Sequence, residues 1–220
     1  MSGYENIKTI IQSFDRGHIF FPDDFVQIES SDTIRSALVR LCENNEIIRL
    51  AQGIYYYPVI DTKWGLGIMY PSIDDIAQAI AEKDHCRIAP TGSSALNALG
   101  LSTQMQANVV YYTDGSPRTI RIGNGRGILF KRTTDMKRFA YQDKTMQLVV
   151  ASLREIGNGK LNDSDRKLLR EQLKKVSEDN FYHDIALAPA WVQKELRELK
   201  FLPKVFIPHG GRIMRQWLRK

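Results

Sequence analysis

Between Phe21 and Pro58 the hydrophobic pattern switches from helical to strand-like spacing, and this stretch constrains the fold more than any other. Pro22 stands where a helix tolerates proline, at its first position, and Asp23 and Asp24 suit a positive helix N-terminus. A short helix over 22–27 is therefore predicted. Ser30 or Ser31 then caps a second helix, with Asp32 in its first turn. Ile34, Ala37, Leu38 and Leu41 recur at i, i+3, i+4 and i+7, which defines one buried face. Thr33, Arg35, Ser36, Val39 and Arg40 fall opposite, and Asn44-Asn45 breaks the helix. Glu46 to Leu50 and Ile54 to Tyr57 are β-prone runs around Ala51-Gln52-Gly53, a tight turn with glycine free to take positive φ. Upstream, Ile7, Ile10, Ile11 and Phe14 mark a first helix, and His18 to Phe21 a short strand. Helix, strand, helix, helix, hairpin is the order of a winged helix-turn-helix.

In that motif the second helix of the pair enters the major groove, and its N-terminal half meets base edges. Ser31, Thr33, Arg35, Ser36 and Arg40 on the helix, with Arg49, Gln52 and Gly53 on the wing, are the candidate DNA contacts. Arg35 suits bidentate bonding to guanine, and Arg40 a phosphate. Winged helices also dock proteins, so a protein-interaction module that binds no DNA stands as the alternative. Charge bears on the choice. The chain carries a net +6, yet residues 1–60 hold 5 basic and 8 acidic residues, a net of −3. Residues 161–220 hold 13 basic and 8 acidic, a net of +5. Any reading face on the N-terminal part must therefore be local, on the scale of a Debye length of about 8 Å.

The expected fold class is α+β: a winged helix over 1–60, then a mixed α/β domain with a helical C-terminal extension over 68–220. Asp61 to Pro71 reads as a connector, and Ser72 caps a helix over 73–83. Cys86 to Ala89 is strand-like, and Thr91 to Leu99 helical. Strands follow at Asn108–Tyr112, Arg118–Ile122 and Gly127–Lys131, the last two joined at Asn124-Gly125. Helices are predicted over 146–156, 164–176 and 190–199. Arg118, Arg121, Arg126, Lys131 and Arg132 gather in the β-rich part as a possible basic surface. Pro90-Thr91-Gly92-Ser93-Ser94 opens a helix with free amides and hydroxyls, which suits either an anion or an ordinary cap. Gly123-Asn124-Gly125-Arg126-Gly127 is a hairpin turn and not a dinucleotide fingerprint, since no helix follows it. Tyr55-Tyr56-Tyr57 is expected to pack against a neighbouring domain.

No Ser/His/Asp set, Cys/His pair or spaced carboxylate pair stands out, so no enzymatic activity and no cofactor are expected. Cys42 and Cys86 lack a CxxC partner and read as free thiols of a reducing cytoplasm. The four histidines are scattered without metal-ligand spacing. No apolar run reaches the ~18 residues of a membrane helix, and no signal peptide is expected.

The run Ile47-Ile48-Arg49-Leu50-Ala51-Gln52-Gly53-Ile54-Tyr55-Tyr56-Tyr57-Pro58 resembles the AbiEi-like antitoxins, in the bacterial branch described as DUF6088. Tyr70-Pro71-Ser72, the segment from Pro90 to Thr103 through Ser94-Ala95-Leu96 and Gly100-Leu101, and Val109-Val110-Tyr111-Tyr112-Thr113-Asp114-Gly115 extend the likeness over about residues 5–135. The resemblance implies a winged helix that represses its own promoter as double-stranded DNA. It also implies a second part that neutralises a nucleotidyltransferase-like toxin. It assigns DNA contact to Arg35, Arg40, Arg49 and Gln52, with Gly53 as the wing turn. Family members often carry a basic residue where this chain has Gln52, which removes one phosphate contact.

Overall fold

The structure, a computed structural model, describes residues 2–104, 107–123 and 125–201. It is a mixed α+β molecule with eight α-helices and nine strands in three sheets among the described residues.

In the N-terminal part, α1 (Gly3–Ser13) and α2 (Ser31–Glu43) pack against a sheet in which β3 (Ile54–Tyr56) lies between β1 (Ile19–Phe20) and β2 (Ile48–Ala51), all antiparallel. Ser30, not Ser31, is the cap of α2: its hydroxyl accepts from the Thr33 amide. The expected helix over 22–27 is a shorter 3-10 turn, Pro22–Phe25, in which the Asp24 carboxylate accepts from the Phe21 amide at 2.7 Å. Ile7, Ile11, Phe20, Phe25, Ile34, Ala37, Leu38, Leu41, Ile47 and Tyr55 close this core. Phe20, Phe25 and Leu38 are fully buried, each worth about 1.5–3 kcal/mol of transfer free energy.

The reading of 61–71 as a connector needs correction. β4 (Val59–Asp61) and β5 (Gly67–Met69) form a separate two-stranded antiparallel sheet. Asp61 holds its turn by accepting from the amides of Lys63, Trp64 and Leu66.

The second sheet has the order β6 (Ile88–Pro90), β7 (Asn108–Thr113), β9 (Gly127–Arg132), β8 (Arg118–Arg121). β7 and β9 run parallel and the outer pairs antiparallel. α3 (Ile73–Lys83) begins at a reciprocal cap between Ser72 and Asp75. Ile76, Ala77 and Ile80 of α3, Tyr111, Ile128 and Phe130 of the second sheet, and Phe21, Leu50, Ile54 and Tyr56 of the first share one core. The first sheet is therefore covered on both faces; of the three tyrosines expected to pack against a neighbouring domain only Tyr56 does so, its hydroxyl donating to the Met69 carbonyl at 2.7 Å, while Tyr55 and Tyr57 pack on the core under α1 and α2.

α4 (Gly92–Ala98) and the helices α5 (Lys144–Ile156), α6 (Asp163–Leu173), α7 (Glu178–Ile185) and α8 (Ala190–Phe201) complete the chain. α5 to α8 bury a core of their own around Met146, Val149, Leu153, Leu169, Phe181, Val192 and Leu196. α7 was not anticipated. Its fully buried Asp184 accepts from the amides of Gln142 and Asp143 at 2.9 Å each, just before α5 begins.

Candidate nucleic-acid interface

α2 presents its polar side from a rigid seat. With Ile34, Ala37, Leu38 and Leu41 facing inward, helical spacing puts Asp32, Ser36, Val39 and Glu43 on the outermost stripe. Arg35 lies on one flank and Thr33 and Arg40 on the other. Ser31, Arg35, Ser36, Val39 and Arg40 are exposed. The two flanks differ in freedom. Thr33 is tied to the N-terminal capping turn, its hydroxyl 2.9 Å from that of Ser30, and its methyl fills the space a side chain at Gly3 would need. The Arg40 guanidinium sits 4.3 Å from the centroid of the Tyr4 ring on α1. Tyr4 escaped the sequence reading, although it stands seven residues before Ile11 and so starts the same stripe of α1.

Arg49 and Gln52 are exposed on β2 and in the turn that follows. That turn is two residues long, with Gly53 at φ +71 and open space where a side chain would project. A residue with a Cβ would be strained there, so glycine is required by the backbone. Arg49 lies cross-strand from Tyr55 and acts electrostatically on Cys42, whose thiol burial pushes up. Cys42 is two turns along α2 from Arg35. Arg35 and Arg49 thus border the same edge of the helix, and the turn lies just beyond.

The acidic excess of the N-terminal part is largely absorbed. Glu46 pairs with Lys8 at 2.9 Å and Asp23 with Lys83 at 2.8 Å; Asp24 caps a turn, and Glu29 accepts from the Asn6 amide at 2.8 Å. Asp32 and Glu43 stay exposed at the two ends of the outer stripe of α2. The local face therefore carries Arg35, Arg40 and Arg49 against these two acids.

The five basic residues of the second sheet do not form one surface. Arg118 pairs with Asp84, its guanidinium over the Phe130 ring. By register, Arg118 and Arg132 face the α3 side, while Arg121 and Lys131 face the other side with Thr119, Tyr112 and Leu129. Arg126 lies in the β8–β9 turn and is exposed. On that second face Arg138 stacks on Tyr112, 4.4 Å from its ring centroid, and pairs with Asp135 at 3.1 Å. The basic surplus of 161–220 falls on Lys204, Arg212, Arg215, Arg219 and Lys220, which lie outside the described residues.

The start of α4 is filled from within. The Thr91 and Ser94 hydroxyls donate to the Val110 carbonyl at 3.0 Å each, and the Val110 amide donates to Ser94 at 3.1 Å. Glu155 of α5 lies against Gly92, so close that a Cβ there would meet its carboxylate at 2.4 Å. A cavity of about 370 Å³ lies between α3, α4, α5 and β6–β7, with Ser94 in its wall, where Tyr111 donates to Asp74. Burial and that bond push the phenol up. Among the described residues no three His, Cys, Asp or Glu side chains converge as a metal site would require, and no helix is long and apolar enough to cross a membrane.

The family model described as "Family of unknown function (DUF6088)" matches residues 6–181. Comparison with the curated proteins finds no match. Among solved structures, the RV2827C protein from Mycobacterium tuberculosis is similar at 11% identity and a TM-score of 0.41, covering 90% of this chain and 81% of that one.

Proposed function

The chain belongs to the DUF6088 family, and from that premise we propose that it is a sequence-specific transcriptional regulator binding double-stranded DNA through an N-terminal winged helix-turn-helix. In this reading residues 1–60 are the DNA-binding domain, α2 is the recognition helix and the Gln52–Gly53 turn is the wing. The observation that carries it is the setting of α2: a capped helix of 13 residues, about 20 Å long, with its polar side exposed and Arg49 and Gln52 beside one edge. Arg35 and Ser36 read base edges, Val39 meets a thymine methyl, and Arg40 and Arg49 take phosphates. Asp32 suits a cytosine amino group.

The resemblance to AbiEi-like antitoxins supports a narrower role. The chain would repress its own promoter and neutralise a nucleotidyltransferase-like toxin through the part that follows residue 68. A mobility-shift titration against the upstream region of its own gene tests DNA binding. The expected result is a shift at low salt that Arg35→Ala weakens, and no shift on any fragment at low salt would overturn it. Growth rescue on co-expression with an adjacent toxin gene tests the antitoxin role, and absence of rescue would refute that part alone.

A further inference from the structure

The β4–β5 hairpin has no counterpart in the proposed DNA-reading face. It is short, yet it exposes Ile60 (51%), Trp64 (75%), Leu66 (67%), Ile68 (41%), Met69 (45%) and Tyr70 (66%), six of the eleven large apolar side chains exposed among the described residues. Summed over these side chains, the apolar area on the arm is on the order of 700 Å². That exceeds the largest patch most soluble monomers show, a few hundred Å². Neither strand pairs with a third strand among the described residues, although the Met69 carbonyl is already taken by the Tyr56 hydroxyl.

The arm is held firmly at its root. Tyr56 donates to the Met69 carbonyl at 2.7 Å, and Arg16 donates to the Pro58 carbonyl at 2.9 Å. Its tip is held by Asp61, whose carboxylate is used up on three turn amides. The shape is therefore set before any partner arrives. β5, Gly67–Met69, carries no charge, proline or bulge of the kind that keeps an exposed edge from pairing.

We propose that this arm is the dimerisation element of the protein and that its occupant is the arm of a second copy. Two arms would align antiparallel about a two-fold axis, with Ile60 and Ile68, which are paired on one face of the hairpin, at the contact. Two arms hold on the order of 1,400 Å² in total, Met69 on the face opposite Ile60 and Ile68 included, so a full contact falls at the lower end of the range of about 1,200–2,000 Å² that stable interfaces bury. The patch carries little charge. Its ionisable side chains are Asp61, spent internally, and Lys63, which lies 5.5 Å from the Trp64 ring centroid. An apolar face of this kind fits an isologous contact between identical chains. A separately encoded partner would need nothing that the second copy lacks. The inference stands apart from DNA binding, because it concerns the chain alone.

Sedimentation velocity of the full chain from 1 to 100 µM, without DNA, tests it. The expected species has twice the chain mass, with Trp64→Ala/Leu66→Ser raising the dimer dissociation constant at least tenfold. Ile68→Lys, which puts a charge on the edge, has the same effect. Circular dichroism melts stay within 2–3 °C of the parent, as expected for exposed positions. Ile68→Cys in a Cys42→Ser/Cys86→Ser background cross-links two copies on oxidation, which keeps the test valid if a variant folds poorly. A monomer at 100 µM, variants that dimerise like the parent, or absence of the cross-link would overturn the proposal. So would an arm that binds only a co-expressed toxin while the chain alone stays monomeric.

Discussion

Replacing Arg49 with alanine removes one of three guanidiniums that border α2 and the turn, and the salt dependence of DNA binding is where the loss should show. Arg35, Arg40 and Arg49 are exposed, whereas Arg118 is already paired with Asp84. Arg40 and Arg49, the two phosphate-contacting groups, give a slope of log K against log salt of about −1.8 per chain. Affinity then falls about 12-fold between 50 and 200 mM salt. Arg49→Ala reduces the slope to about −0.9 and the fall to about 3.5-fold. Arg35→Ala behaves differently if it reads a base: it costs about 1–3 kcal/mol at the preferred site and relaxes specificity there. Arg118→Ala is the internal control. It costs at most about 1 kcal/mol of stability, as an exposed pair, and leaves the slope unchanged. Fluorescence anisotropy on the upstream fragment and a shuffled duplex, over a salt series, measures all three. A dimer doubles each slope without changing the ranking. Equal losses from Arg118→Ala and Arg49→Ala, or a slope indifferent to Arg49, would refute the placement of the interface on α2.

Four further outcomes follow from the geometry. Gly53→Ala should cost about 1–2 kcal/mol in thermal unfolding through the backbone alone, because φ is +71 and no atom lies near the new methyl; Gly92→Ala should cost at least as much, and Glu155→Ala should relieve it in a double-mutant cycle. Asp184→Ala leaves the Gln142 and Asp143 amides without their buried acceptor, so a loss of about 3–5 kcal/mol is expected by urea titration. Asp114 is held below the usual carboxylate range by the Arg87 amide at 2.7 Å and then by its guanidinium at 2.8 Å. Its contribution is therefore complete above about pH 4 and fades as pH drops through the lower folded value, so the stability gap between the parent and Asp114→Asn should close on acidification.

How much of this the sequence disclosed depends on the range of the interactions involved. α2 was legible because Ile34, Ala37, Leu38 and Leu41 state its period within two turns, and Ser72 announces α3 with Asp75 three residues on. The caps, the strands of the second sheet and the Gly53 turn are similarly local. The hairpin at 59–69 was not legible, because its side chains bury little and so show no alternation; Asp61 holds it through backbone amides, which no side-chain pattern records. α7 was missed for the opposite reason. Its decisive residue is a buried aspartate, which local reading places on the surface, and its partners lie some forty residues earlier. The scatter of the basic residues over both faces of the second sheet follows from strand alternation, because Arg118 and Arg121, like Lys131 and Arg132, are an odd number of residues apart; the insertion of β9 between β7 and β8 is what only tertiary pairing sets.

The first sheet shows why the proposed reading face falls where it does. A strand with one solvated face alternates, but Ile54, Tyr55 and Tyr56 are buried in succession. Tyr55 enters the core under α1 and α2, while Ile54 and Tyr56 enter the core shared with α3 and the second sheet. With both faces committed, the sheet cannot offer DNA a broad surface, and its remaining free parts are the edge near Arg49 and the two-residue turn. The polar side of α2 is then a surface of this unit whose exposed groups are not spent on packing. Because the same strand joins the two cores, tilting α2 relative to the second sheet would have to break the packing of Phe21, Leu50 and Ile54 against Ile76 and Ile128. Those five side chains are at most 8% exposed, and separating them would cost several kcal/mol, about 1.5–3 for each. Any partner that acts on the second part must therefore shift or occlude the α2 face as a rigid whole, not by bending the chain between them.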